Sequence, residues 1–98
     1  MPNINHFLDE AGRLTKYPAK RRRKLLALLY LAGKFEPGRT YTEKEVNELL
    51  NQWHTFGDPA TLRRELYNHY LLGREPSGRS YWLEDPPPTE EELLAKYA

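Results

Sequence analysis

No cysteine occurs among the 98 residues. A disulfide framework and a thiolate metal site are therefore excluded, and the fold must be held by packing alone. Long apolar runs are missing as well. The longest, Leu25 to Ala32, is far shorter than a bilayer requires. The amino terminus Met1-Pro2-Asn3-Ile4-Asn5-His6 lacks the basic lead and apolar stretch of a secretory signal. A soluble protein of the reducing cytoplasm is expected, with no membrane partner. His6, His54 and His69 stand at no metal-ligand spacing and are expected to be surface or partly packed residues. Ser77 and Ser80 flank a turn with no base near them in sequence, and Gly73 and Gly78 read as turn glycines rather than a phosphate-cradling loop. Glu43, Glu45 and Glu48 fall on the sides of a helix, where solvent exposure is the default. The expectation is a protein that is not an enzyme and takes no cofactor or metal.

What is present is charge, unevenly spread. With 39% hydrophobic and 30% charged residues, the chain suits one domain with a modest core. The formal net charge is only +1, yet Arg13, Lys16, Lys20, Arg21, Arg22, Arg23 and Lys24 follow one another with no acid between them. Glu84, Asp85, Glu90, Glu91 and Glu92 crowd the other end against Lys96 alone. Setting residues 84–98 aside leaves 14 bases against 9 acids, a body of about +5.

The pattern of apolar residues gives the elements. Ile4, Phe7, Leu8 and Ala11 share one side of a short helix expected between Asn3 and Leu14, weakened by Gly12. Pro18 precedes the longest helical stretch, Lys20 to Phe35. Its stripe of Leu25, Leu28, Leu29 and Ala32 is widened by Leu26 and Leu31, so it needs partners on two sides. The second partner could be the N-terminal segment, the C-terminal tail or another protomer. Glu36-Pro37-Gly38 stops this helix.

Arg39-Thr40-Tyr41 reads as extended. Thr42 and Glu45 form a capping box for a helix with Val46, Leu49, Leu50 and Trp53 on one face. After a short break, Asp58-Pro59 starts a further helix with Leu62, Leu66 and Tyr70 inward. Two short strands, Leu71 to Glu75 and Arg79 to Leu83, are joined through Pro76-Ser77-Gly78 as a hairpin. Asp85-Pro86-Pro87-Pro88 is a stiff linker, and Thr89 to Glu92 is a second capping box before Leu93, Leu94 and Tyr97.

Helix, short strand, helix, tight turn, helix, hairpin is the order of a winged helix-turn-helix. The expected fold is therefore mainly α with a small three-stranded sheet, the short strand pairing with the hairpin. Residues 1–83 form that domain with an N-terminal helical extension, and 84–98 a Pro-rich linker with a short acidic helix.

On a helical projection of 59–70, the side opposite the leucines carries Ala60, Thr61, Arg64, Tyr67 and Asn68, with Arg63 on the flank. Arginine suits guanine and asparagine suits adenine in a major groove. Arg39, Arg74 and Arg79 can add phosphate contacts from strand and wing. In the run Lys20-Arg21-Arg22-Arg23-Lys24, Lys20 and Arg23 fall outward with Ala27, Tyr30 and Lys34, while Arg21 and Arg22 lie nearer the apolar side. Five cations at a helix start oppose its dipole, so they point to phosphate rather than to helix stability. Of the aromatics Trp53, Phe56, Tyr81 and Trp82, alternation lets only one of Tyr81 and Trp82 face inward. Duplex DNA is the expected partner. RNA or ribosome binding shares the same basic surface, and a protein-interaction module or a homodimer through the Leu25–Leu31 helix or the tail is the alternative. The acidic tail could also screen the basic surface.

Pro18 to Leu25, Tyr41 to Leu50, Thr61-Leu62-Arg63-Arg64-Glu65-Leu66 and Gly78-Arg79-Ser80-Tyr81-Trp82 resemble the bacterial domain of unknown function 2087. The likeness runs from about Lys16 to Leu83 and is most specific over Tyr41 to Leu50. It implies a winged-helix-like module of bacterial proteins described as transcriptional regulators, in which Arg63, Arg64 and the Lys20 to Lys24 run recur. The triple proline and acidic tail are additions to that pattern.

Overall fold

Side chains that cap their own backbone decide where the helices of the middle segment begin. The computed structural model describes residues 4–97. Thr42 accepts from the Glu45 amide at 3.1 Å and Glu45 accepts from the Thr42 amide at 2.9 Å, a reciprocal box that opens α2 (Glu43–Trp53). A threonine cap of this kind contributes about 1 kcal/mol. Asp58 accepts from the Thr61 amide at 3.2 Å and Pro59 fills the first turn of α3 (Pro59–Asn68). Thr89 and Glu92 repeat the box, at 3.1 Å in both directions, before α4 (Glu90–Tyr97). α1 (Arg21–Ala32) differs, since Lys20 at its N-cap offers no side-chain acceptor.

Between α1 and α2 lies β1 (Thr40–Tyr41), and after α3 come β2 (Leu72–Arg74) and β3 (Tyr81–Leu83). The three strands form an antiparallel sheet in the order β1-β3-β2, with Tyr41 opposite Tyr81 and Gly73 opposite Trp82. The fold is mainly α with this small sheet at one side, and the expected pairing of the early strand with the hairpin is present. Tyr81 is buried and Trp82 is half-buried, as strand alternation requires.

The core is made by Leu25, Leu28 and Leu31 of α1, Val46 and Leu50 of α2, Leu62 and Leu66 of α3, and Leu71, Leu72 and Tyr81 from the sheet side. α1 does have two sets of partners, α3 and α4. Leu93 of α4 joins the core, and Leu94 and Tyr97 pack against it. Leu25, Leu28 and Leu31 are thus buried within the chain, while Leu26 and Leu29 are partly buried.

Several expectations are corrected. The helix expected between Asn3 and Leu14 shrinks to one 3-10 turn, Asn5–Phe7; Asn3 lies outside the described residues. The Asp9 carboxylate takes the amides of Ala11 at 3.0 Å and Arg13 at 2.8 Å, so the backbone finds a side-chain partner instead of a helical one. Gly12 then turns at φ +80, and Leu14 is held in the core by its amide bonding to the Trp53 carbonyl at 2.7 Å. α1 ends at Ala32, before the Glu36-Pro37-Gly38 stop, and Phe35 is buried beyond it.

Ala27, expected outward, is fully buried, and Leu31 is buried where Leu29 is only partly so. Besides α3 and α4, the N-terminal arm meets α1, the Tyr30 hydroxyl donating to the Gly12 carbonyl at 2.6 Å, so the buried stripe differs from the one a single neighbour would select. His54 is buried as well, not at the surface. Its Nε2 accepts from the Asp58 amide at 2.9 Å, so the ring proton sits on Nδ1, which bonds the Leu50 carbonyl at 2.6 Å. That ring, with Phe56 edge-on at 4.7 Å, pins the turn between α2 and α3. Tyr70, expected to face inward with Leu62 and Leu66, is 58% exposed. Helix α3 has already ended, and Tyr70 stands past it at φ 62.

Candidate nucleic-acid interface

α3 is fixed on three sides, which decides what its fourth side shows. Leu62 and Leu66 are fully buried. On the α1 side, Glu65 accepts from the Tyr17 hydroxyl at 3.0 Å, and His69 bonds the Glu65 carbonyl at 2.7 Å while its ring packs tilted against that of Tyr97 at 4.5 Å. Burial, then the Glu65 charge, pushes the Tyr17 hydroxyl pKa well above its ordinary range, so it remains a donor. On the α2 side, Arg63 bonds Asn47 Oδ1 at 2.5 Å and pairs with Glu43 at 3.4 Å, and its side chain is only 13% exposed. Arg63 is thereby a brace between α2 and α3.

The remaining side carries Arg64, Tyr67 and Asn68, all exposed, with Ala60 and Thr61 half-buried at its N-terminal end. Asp58 is the acid next to this face. The hydrogen bonds to Thr61 first, and then the charge of Arg64, hold its carboxyl below the usual range, which keeps the cap ionised. The hairpin meets the same face through Arg74, whose guanidinium lies 4.7 Å from the Tyr67 ring centre. The Tyr81 hydroxyl, and then that of Tyr67, raise the Arg74 pKa further, so its charge is permanent. Arg79 is exposed at the hairpin turn, where Gly78 takes φ +75 and the Glu75 amide bonds the Ser80 carbonyl at 2.9 Å.

The other expected cations are distributed differently. Arg39 lies among acids, 3.7 Å from Glu45 and 4.0 Å from Glu36, and stacks on Tyr41 at 4.7 Å, along a cleft with α2 rather than with α3. Lys20, Arg21 and Arg22 are exposed at the α1 N-terminus, whereas Arg23 and Lys24 are half-buried. This is the reverse of the projection that turned Arg23 outward and Arg21 and Arg22 inward. Lys24 lies 5.3 Å from the Tyr17 ring, and Arg23 lines a shallow cleft with Phe7, Lys16 and Pro18. Arg21 and Lys24 flank a cleft of about 310 Å³ whose far wall is Glu65 and His69 of α3. The basic run is therefore divided: Arg21 and Lys24 border the α1 flank of α3, Lys20 and Arg23 face the N-terminal arm, and the hairpin meets the exposed face of α3 through Arg74.

Sequence reasoning missed Tyr70 and the groove it helps to line. This groove, of about 360 Å³, runs between the end of α3 and the hairpin; Tyr67, Tyr70, Leu72, Arg74 and Trp82 line it, together with one acid, Glu84. A tyrosine directly after a helix end carries no signal that it will turn outward. The helical spacing from Leu62 and Leu66 argued the opposite.

Among the described residues no helix is long and apolar enough to cross a membrane, and no cluster of three or more His, Asp or Glu side chains could hold a metal ion. Neither a curated protein nor a solved structure matches the chain. Residues 13–83, from the N-terminal arm to the last strand, match the family described as uncharacterized protein conserved in bacteria (DUF2087), and the chain belongs to that family.

Proposed function

We propose that this chain is a winged helix-turn-helix module that binds duplex DNA, with α3 as the helix entering the major groove and the β2–β3 hairpin as the wing. The observation that carries this reading is the division of labour on α3. Two leucines and an arginine lock it to the body, while Arg64, Tyr67 and Asn68 are left exposed beside Arg74 of the hairpin. A helix held this firmly meets a rigid duplex without losing its own order. Arg64 offers a fork of donors suited to guanine O6 and N7, and Asn68 a donor paired with an acceptor suited to adenine N7 and N6. Exposed Lys20, Arg21, Arg22, Arg74 and Arg79 supply phosphate contacts around them. The uncapped amides of α1 add to the attraction for phosphate at the basic run. Regulation of transcription is the role suggested by the resemblance for a module of this kind.

Binding through five or six phosphates has a measurable signature. The logarithm of the duplex association constant should fall linearly with the logarithm of salt concentration, with a slope of about −5. Fluorescence anisotropy of a labelled random duplex, a structured RNA and a single strand across a salt series measures this. Tightest binding to duplex DNA supports the proposal. Preference for structured RNA moves the same surface to that partner, and absence of salt-sensitive binding to any of the three overturns it.

A further inference from the structure

Tyr70 occupies a position that its own backbone disfavours. The Leu71 amide reaches back to the Leu66 carbonyl at 2.9 Å and the Tyr70 amide to the Tyr67 carbonyl at 3.1 Å. This closing pattern needs a left-handed residue, here Tyr70 at φ 62, and glycine is the residue that adopts it without penalty. Tyr70 is the one non-glycine residue with positive φ among those described. Burial does not offset the strain, because the ring is 58% exposed. Strain that returns nothing to the core is found where a side chain is needed outside it.

What surrounds Tyr70 indicates the ligand. Tyr67, 38% exposed, is the other exposed large aromatic among the described residues, and both line the groove of about 360 Å³ beside the hairpin. The groove floor is shaped by Gly73, where an added Cβ would collide with the Trp82 indole and with Glu84. That indole is fixed by its Nε1 donating to Glu84 Oε1 at 3.0 Å. Arg74 is the cation of the groove, 4.7 Å from the Tyr67 ring centre, while Lys96 Nζ, 4.3 Å from that of Tyr70, lines the neighbouring cleft with His69 and Tyr97. Exposed aromatic faces paired with cations are how proteins hold an unstacked base together with its phosphate. A volume near the lower limit for small-ligand sites suits one base rather than a longer segment.

We propose that this groove captures a single unpaired base of a nucleic-acid strand, stacked against Tyr70 and Tyr67, with Arg74 at its phosphate. The proposal rests on nucleic-acid binding at the neighbouring face of α3 and adds a preference for duplexes that carry an unpaired base.

The test compares a blunt duplex, the same duplex with one extruded or overhanging base, and a single strand, each against the wild-type chain, Tyr70→Gly and Tyr70→Asn. Glycine and asparagine both tolerate the left-handed backbone, so the fold is retained and Tyr70→Gly should melt no lower than wild type. The wild-type chain should prefer the duplex with the unpaired base over the blunt duplex by on the order of tenfold. Both variants should lose that preference while keeping blunt-duplex affinity. Equal affinity of the wild-type chain for the two duplexes, or a preference that survives in both variants, overturns the base site and leaves duplex binding standing. Tyr70-dependent binding of the single strand without blunt-duplex binding supports the base site and overturns the duplex reading. No binding of any probe overturns both.

Discussion

Arg64→Glu lowers duplex affinity by about 10- to 100-fold and reduces the steepness of its salt dependence by about one unit, while the thermal midpoint stays within a degree or two of wild type. The expected loss is that of one good base or phosphate contact, with a repulsive charge put in its place. The unchanged midpoint follows from the exposure of Arg64, which contributes nothing to the core. Arg63, its neighbour in sequence, should behave in the opposite way. It bonds Asn47, pairs with Glu43 and is mostly buried, and its Nε is buried without a hydrogen-bond partner. Arg63→Ala should cost about 1–3 kcal/mol of stability through lost bracing and packing, while affinity per folded molecule changes little. Anisotropy titration together with thermal melting separates the two. Arg64→Glu binding like wild type would remove α3 from the interface.

Deleting everything after Leu83 destabilises the chain by about 3–5 kcal/mol, although the deleted part lies outside the family match of residues 13–83. Leu93 is buried against the core, Leu94 and Tyr97 are half-buried, and the Tyr97 ring packs tilted against that of His69 at the end of α3. Burying one leucine fully and two more side chains in part accounts for a loss of that size. For a domain whose total stability is about 5–15 kcal/mol, this is a large fraction. The urea midpoint should fall by roughly 2 M at a slope of about 2 kcal/mol/M. A midpoint unchanged by the deletion would mean that α4 is not docked on α1 as described. Destabilisation of this size also makes deletion a poor probe of charge screening by the acidic tail. Replacing the exposed Glu90 and Glu91 with glutamine removes charge without touching the packed face.

The features legible in the sequence were those decided within a few residues. Thr42 with Glu45, Asp58 before Pro59, and Thr89 with Glu92 each satisfy backbone amides from inside a single turn, so their chemistry is written in adjacent letters. The inward leucines of α2 and α3 and the alternation of Tyr81 and Trp82 were equally local. The features that could not be read depend on which partner arrives. Ala27 and Leu31 are buried on a helix that meets α3 and α4 and is also met by the N-terminal arm, whose Gly12 carbonyl accepts from the Tyr30 hydroxyl, an arrangement that no single helical projection contains.

The N-terminal arm had helical spacing at Ile4, Phe7, Leu8 and Ala11. Asp9 diverted the backbone and Leu14 anchored to Trp53 across the molecule. On α3, the helical spacing placed Arg64, Tyr67 and Asn68 on one exposed face. It gave no way to tell that Arg63 would turn to Asn47, that Arg39 would settle among glutamates, or that Tyr70 would leave the core. Each outcome depends on a contact or a chain reversal that helical spacing does not encode.

The most direct test of the account is to titrate the isotopically labelled chain with a short duplex and follow backbone amide and arginine side-chain resonances by nuclear magnetic resonance. The largest shifts should cluster at Arg64, Tyr67 and Asn68 and continue to Arg74 and Arg79 on the hairpin, with Arg63 and the buried leucines nearly still. Shifts confined to α2 around Arg39, or to the outer face of α4, with Arg64 and Asn68 unmoved, would contradict it.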